Sequence, residues 1–317
     1  LVEEPSRRWI NSWWKGVDAH WRERGTQRNT ERSTTEATAT TSVETAEMGA
    51  ELAPVEIGAG LRTGAAAQLL LEERGGHLHD VEGPGALGLL LAGIVGILIY
   101  SQVGVMAAEP EPLAAVRDDP DIAITDDSGA IVLAPASGAS DTGLVFIPGA
   151  KVDPWAYASI LSALVTDDDL TVVITKPWLN LAFFDLRGLS SFTDLAPDVD
   201  AWLVGGHSLG GVRACQLAPD ADGLVLFASY CANDLSASGL PVLSLSGSED
   251  GLSTPQKIAD ARPNLPADAI MVEIPGASHA SFGDYGPQAG DGTPTATDAD
   301  VEAVVVTEVG DLAASLR

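Results

Sequence analysis

Hydrophobic positions fall into two regimes along this chain. Residues 86–108 read ALGLLLAGIVGILIYSQVGVMAA, with no charge and only Ser101 and Gln102 polar. An apolar run without a polar stripe, roughly 20 residues long, predicts a helix that crosses a bilayer. We therefore expect one transmembrane helix over residues 85–108. The small residues around Val105-Met106-Ala107 also suit a cleavage site, which makes secretion after signal removal the alternative. After residue 120 the pattern changes to short apolar runs separated by helical stretches. Strands are predicted at 121–125, 130–133, 143–147, 170–175, 201–205, 223–228, 241–246 and 269–274. The later runs are β-branched and do not alternate, as expected when both faces of a parallel sheet are covered. Helices are predicted at 154–164, 209–217, 254–261 and 297–316. Strand and helix in alternation predict an α/β fold with a mostly parallel sheet of about eight strands and helices on both faces. The first two strands have no helix between them and are expected to pair antiparallel.

Charge narrows the function. The chain carries 45 acidic and 17 basic residues, a net charge of −28. That excludes a general nucleic-acid binder, which needs a basic face. Nine of the bases precede residue 85, which favours a cytoplasmic N-terminus and an extracytoplasmic region after the apolar run. Residues 30–50 are Thr/Glu/Ala-rich with no apolar period, and 1–84 as a whole reads as a low-complexity, disordered extension. Trp9, Trp13, Trp14 and Trp21 interleave with basic residues there, and a short interfacial helix is the alternative. His77 and His79 are spaced for no recognisable ligand set nearby, so no metal site is expected. Cys215 and Cys231 are expected as two separate buried thiols, although export would permit a disulfide. The domain plan is thus 1–84 extension, 85–108 membrane helix and 109–317 catalytic domain.

The chemistry sits in the catalytic domain. Gly206-His207-Ser208-Leu209-Gly210 is a G-x-S-x-G pentapeptide directly after an apolar run. Small neighbours let the chain turn sharply and push the serine hydroxyl above a sheet. A serine hydroxyl needs a base, and the base needs an orienting acid. Of five histidines, three (His20, His77 and His79) precede the apolar segment and His207 lies inside the pentapeptide. His279 is therefore the expected base. The acid should follow a strand between Ser208 and His279. Glu249 and Asp250 compete there, and the spacing from Gly247 favours Asp250. Backbone N–H groups of Leu209 and Ala150 are the expected oxyanion donors, with Lys151 the alternative to Ala150. Lys151 itself reads as a solvated loop lysine. Gly290-Asp291-Gly292 reads as a structural turn holding the histidine loop.

The order Ser208, Asp250, His279 resembles that of α/β-hydrolases. So do the stretches PGAKVDPWAY (148–157), NLAFFD (180–185), GGHSLGG (205–211), GSEDGL (247–252) and HASFGDYG (279–286). The chain from about residue 120 onward resembles the broad alpha/beta hydrolase family that borders the dienelactone hydrolases. Dienelactone hydrolases proper use a cysteine nucleophile, whereas this chain has Ser208. The resemblance implies hydrolysis, and with Ser208, Asp250 and His279 the expectation is a cofactor-free hydrolase acting on a small-molecule or lipid-like ester through an acyl-enzyme. The alternatives are acyl transfer at the same site and an idle fold used for binding. Only about a dozen residues separate the sixth and seventh strands, so no large cap domain is expected. Trp178, Leu181, Phe183, Phe184 and Phe192 are candidates for one wall of an open cleft.

Overall fold

The computed structural model describes residues 84–138 and 140–317. The expectations for the 1–84 extension, including its tryptophans, His77 and His79, lie outside the described residues. The elements run in the order α1 (Pro84–Gln102), α2 (Pro110–Asp118), β1 (Ile122–Asp126), β2 (Ala130–Pro135), β3 (Thr142–Ile147), α3 (Ala158–Thr166) and β4 (Thr171–Thr175). They continue with α4 (Ser190–Thr193), β5 (Ala201–His207), α5 (Leu209–Leu217), β6 (Gly223–Phe227), β7 (Val242–Gly247), α6 (Pro255–Ala261), β8 (Ile270–Ile274) and α7 (Asp298–Ala314).

The strands form one sheet in the order β1-β2-β4-β3-β5-β6-β7-β8. β1 pairs antiparallel with β2, and β2 antiparallel with β4. Every later pairing is parallel. The period-two alternation of a strand divides its side chains between two cores. Leu144 and Phe146 of β3 join one core with Leu203, Val225 and Phe227. Val145 and Ile147 join the other with Val204, Leu224 and Leu226. Helices α3 and α7 cover the first core, and α5 covers the second. In α7 the buried residues Val301, Val305, Val309 and Leu312 recur every three or four positions, which places them on one helix face. Thr297 and Asp300 close its first turn as a capping box.

Two expectations need correction. The apolar run 86–108 is not one helix. Gly104 takes a left-handed φ of 69°, which ends the helical path after Gln102. The chain then folds onto the catalytic domain, where Met106 bridges Val152. Nineteen residues at 1.5 Å each give a helix of about 28 Å against a hydrocarbon core of about 30 Å. Among the described residues no helix is long and apolar enough to cross a membrane. Helix α1 nonetheless exposes Leu89, Leu90, Val95 and Ile99 to more than half of their full extent. The second correction concerns the cysteines, which are not separate thiols. Cys215 and Cys231 form a disulfide with Cα atoms 5.5 Å apart. Helix α5 turns Cys215 toward the loop after β6, and no sequence spacing reveals that meeting.

Candidate active site

Ser208, Asp250, His279 and Ala150 follow β5, β7, β8 and β3 respectively. All four therefore lie at the carboxyl ends of parallel strands, the usual position for a site in such sheets. Ser208 has φ 52° and ψ −120°, a left-handed conformation that costs a non-glycine residue of order 1–3 kcal/mol. The turn survives because its surroundings are built around it. A Cβ on Gly210 would stand 2.0 Å from the Ile147 carbonyl oxygen, so only glycine fits there. Ser208 N–H donates to the Phe227 carbonyl at 3.0 Å, and Ser229 Oγ donates to the Ser208 carbonyl at 2.7 Å. A serine before a helix normally caps it with its hydroxyl. Ser208 makes no such bond, so its hydroxyl is not committed to α5.

His279 is almost wholly buried, and its Nδ1 lies 2.9 Å from Asp250 Oδ2. Asp250 Oδ1 accepts from the Leu252 and Ser253 N–H groups, both at 2.7 Å. Those bonds fix the carboxylate and leave Oδ2 for the imidazole. A carboxylate can only accept here, so His279 Nδ1 carries the proton and Nε2 is the basic nitrogen. Nε2 is buried and has no hydrogen-bond partner. The structure thus joins Asp250 to His279 but leaves Ser208 Oγ short of a hydrogen bond with Nε2. Catalytic hydrogen bonds often tighten only when substrate arrives. Glu249, the competing acid, bonds its neighbour Ser248 through its side chain.

Loop amides sort the oxyanion candidates. Gly149 N–H donates to Tyr157 Oη at 2.9 Å, and Lys151 N–H donates to the Asn180 carbonyl at 2.8 Å. The Ala150 N–H between them has no protein acceptor among the described residues. Leu209 opens α5, so its N–H belongs to the first turn, where intrahelical acceptors are missing. Lys151 is not the solvated lysine expected. Its ammonium lies 4.3 Å from the centre of the Tyr100 ring, and burial lowers its pKa. It faces the end of α1.

His207 does more than the sequence suggested. Its Nε2 lies 3.1 Å from the His279 carbonyl oxygen, which can only accept. Nε2 therefore holds the proton, and Nδ1 accepts from Tyr157 Oη at 2.9 Å. One relay then runs from the Gly149 N–H through Tyr157 and His207 to the backbone of His279. Burial, and secondarily the neighbouring His279, hold the His207 pKa well below the ordinary value, opposed by the bond to the His279 carbonyl. The imidazole is a neutral spacer between two loops. Its being the other histidine of the catalytic domain was the signal available in the sequence.

Of the proposed wall residues, Phe192 is buried in the core beneath the sheet. Trp178, Phe183 and Phe184 are exposed on short helical turns between β4 and β5. No helix lies between β6 and β7, so no cap domain is inserted there. No cluster of metal-ligating side chains occurs among the described residues.

The sequence profile of the alpha/beta hydrolase family matches residues 143–302. The chain belongs to the alpha/beta hydrolase family. No curated protein matches it. Among solved structures, it is similar to an alpha-beta serine hydrolase homologue from Coxiella burnetii, at 15% identity and a TM-score of 0.44 over 60% of this chain and 97% of that one. It is also similar to the esterase domain of a Rhodothermus marinus protein, at 14% identity and a TM-score of 0.42 over 60% of this chain and 95% of that one.

Proposed function

We propose that this protein is a serine hydrolase cleaving carboxylic ester-like bonds through Ser208, His279 and Asp250. The observation that carries this reading is the His279 imidazole. Asp250 fixes it through Nδ1, while the opposite nitrogen is buried, unpartnered and basic. In the first step Ser208 Oγ attacks the substrate carbonyl carbon and its proton passes to His279 Nε2. The Leu209 and Ala150 N–H groups stabilise the oxyanion, and Asp250 stabilises the imidazolium. His279 then gives its proton to the departing alkoxide, leaving an acyl group on Ser208. Water, deprotonated by the same nitrogen, releases the acid. A fluorophosphonate probe should label Ser208 alone, and Ser208→Ala should abolish labelling while the protein stays folded. Labelling that survives this substitution would refute the assignment. A panel of p-nitrophenyl esters of graded length then defines the acyl group.

The same reading places the enzyme at a membrane, with α1 lodged in the lipid and the catalytic domain outside the cytoplasm. Two observations favour it. The large apolar side chains of α1 from Leu89 to Tyr100 are exposed, and the Cys215–Cys231 disulfide suits an oxidising compartment. Membrane-fraction protein that resists high-salt washing, and is cut by protease added to intact cells, is the expected result. Release by salt would refute the lipid contact, and protection from the protease would refute the orientation.

A further inference from the structure

The loop at Gly290-Asp291-Gly292 touches both partners of the buried acid–base pair. Asp291 Oδ1 accepts from the Gly251 N–H at 3.0 Å, one residue past Asp250. The same oxygen accepts from the His279 N–H at 3.0 Å and from the Gly292 N–H at 2.7 Å. Oδ2 accepts from the Ala280 N–H at 2.9 Å. One carboxylate therefore binds backbone amides from the acid loop and from the histidine loop, which are far apart in sequence. The backbone packs as closely as these bonds require. A Cβ on Gly292 would fall 1.8 Å from the Glu249 carbonyl oxygen, and one on Gly251 would fall 2.7 Å from the Gly290 carbonyl oxygen.

We propose that Asp291 is a positioning residue that holds Asp250 and His279 in hydrogen-bond register. The inference rests on the hydrolase reading above for its effect on rate, but the clasp itself stands on geometry. A side chain that bonded only its own loop would stabilise a turn. Asp291 bonds three amides flanking the two reacting groups, so its loss changes their separation as well as the stability of the loop. Four N–H donors converge on two oxygens, a set that only an ionised carboxylate satisfies in full. Burial alone would raise its pKa, but the amides of Gly251, Ala280 and His279 and the Ser278 hydroxyl hold it below the ordinary value. Asp291→Asn keeps the shape but turns an NH2 group toward the Ala280 N–H, donor against donor. Small displacements of a positioned catalytic pair cost up to about a hundredfold in rate.

The test compares wild type with Asp291→Asn in two readouts. The first is the rate of fluorophosphonate labelling at Ser208, expected to fall roughly ten- to hundredfold. The second is the strongly downfield proton resonance of the His279 Nδ1–H bonded to Asp250, expected to move upfield or broaden in the variant. A role confined to loop stability would lower the melting temperature and leave that resonance in place, and this outcome overturns the proposal. Should wild type resist labelling while the resonance still responds to Asp291→Asn, the hydrolase reading falls and the clasp stands. Amide hydrogen exchange in the unaltered protein needs no folded variant. Slow exchange at Gly251, His279 and Ala280 is expected, and fast exchange at all three would overturn the clasp.

Discussion

Reducing the Cys215–Cys231 disulfide gives a sharp measure of how α5, the helix that follows Ser208, is held. The bond spans a sequence separation of 16 residues. Closing a loop of that size removes about 10 cal/mol/K of unfolded-chain entropy, or about 3 kcal/mol at 25 °C. Urea unfolding of wild type, with and without a reductant, isolates this contribution because the sulfur atoms remain in both arms. With a urea dependence of about 3 kcal/mol/M, the midpoint should fall by about 1 M in the reduced arm. For a domain of roughly 200 residues the corresponding drop in Tm is about 6–12 °C. Ester hydrolysis at 25 °C should change little, because Leu209, Val212, Ala214 and Leu217 still seat α5 on the sheet. Oxidised and reduced arms melting within about 2 °C of each other would refute the cross-link's contribution. Loss of activity while the fold survives would show instead that the disulfide sets the angle of the elbow.

Three further outcomes are expected. Ser208→Ala and His279→Ala should each cost on the order of 10⁶ in kcat, and Asp250→Asn about 10⁴, with the double variants no worse than the singles. Additive losses in steady-state kinetics would show that the groups do not act as one unit. The Asp284 carboxyl, pushed up to about 6 from 3.8 by burial and then by Asp298 and Glu109, binds a proton in the folded state that the unfolded chain has lost. Its contribution to stability is present below pH 3.8 and is lost as pH rises to about 6. Asp284→Asn should therefore gain in Tm over wild type above pH 6 and lose that advantage near pH 4, and a flat difference across pH would contradict this. With no cap between β6 and β7, the rate on an emulsified long-chain ester should show no jump as substrate passes its solubility limit. A sharp rise there would reveal a lid.

Much of this fold is readable from pattern because both faces of its sheet are buried. Continuous apolar runs such as 223–228 have one destination, and the observed β6 ends within one residue of that run. Ser208 announces itself through its glycine-flanked pentapeptide after an apolar run, and His279 through the scarcity of histidine, of which the chain has five. The less legible features depend on partners that sequence does not index. Asp291 acts on backbone amides, which every residue possesses, so nothing in a G-D-G turn distinguishes a clasp from an ordinary bend. His207 reads as a variable position in its motif, and its importance comes from Tyr157, fifty residues away. The end of α1 also escaped the hydropathy pattern. Residues 103–108 are as apolar as the helix before them, yet their backbone pairs with Val152.

The relay through His207 bears on how this enzyme can change over generations. Loops at the carboxyl edge of such sheets ordinarily vary in length, because each answers only to its own strand. Here the loops after β3 and β8 are spanned by one rigid ring pair of set length, Tyr157 and His207. An insertion in either loop would break the span unless the other loop, or one of the rings, altered in step. Descendants of this sequence are thus steered toward novelty elsewhere, as in the exposed stretch 236–239 between β6 and β7. That stretch can lengthen or shrink without touching the ring pair that spaces the two loops.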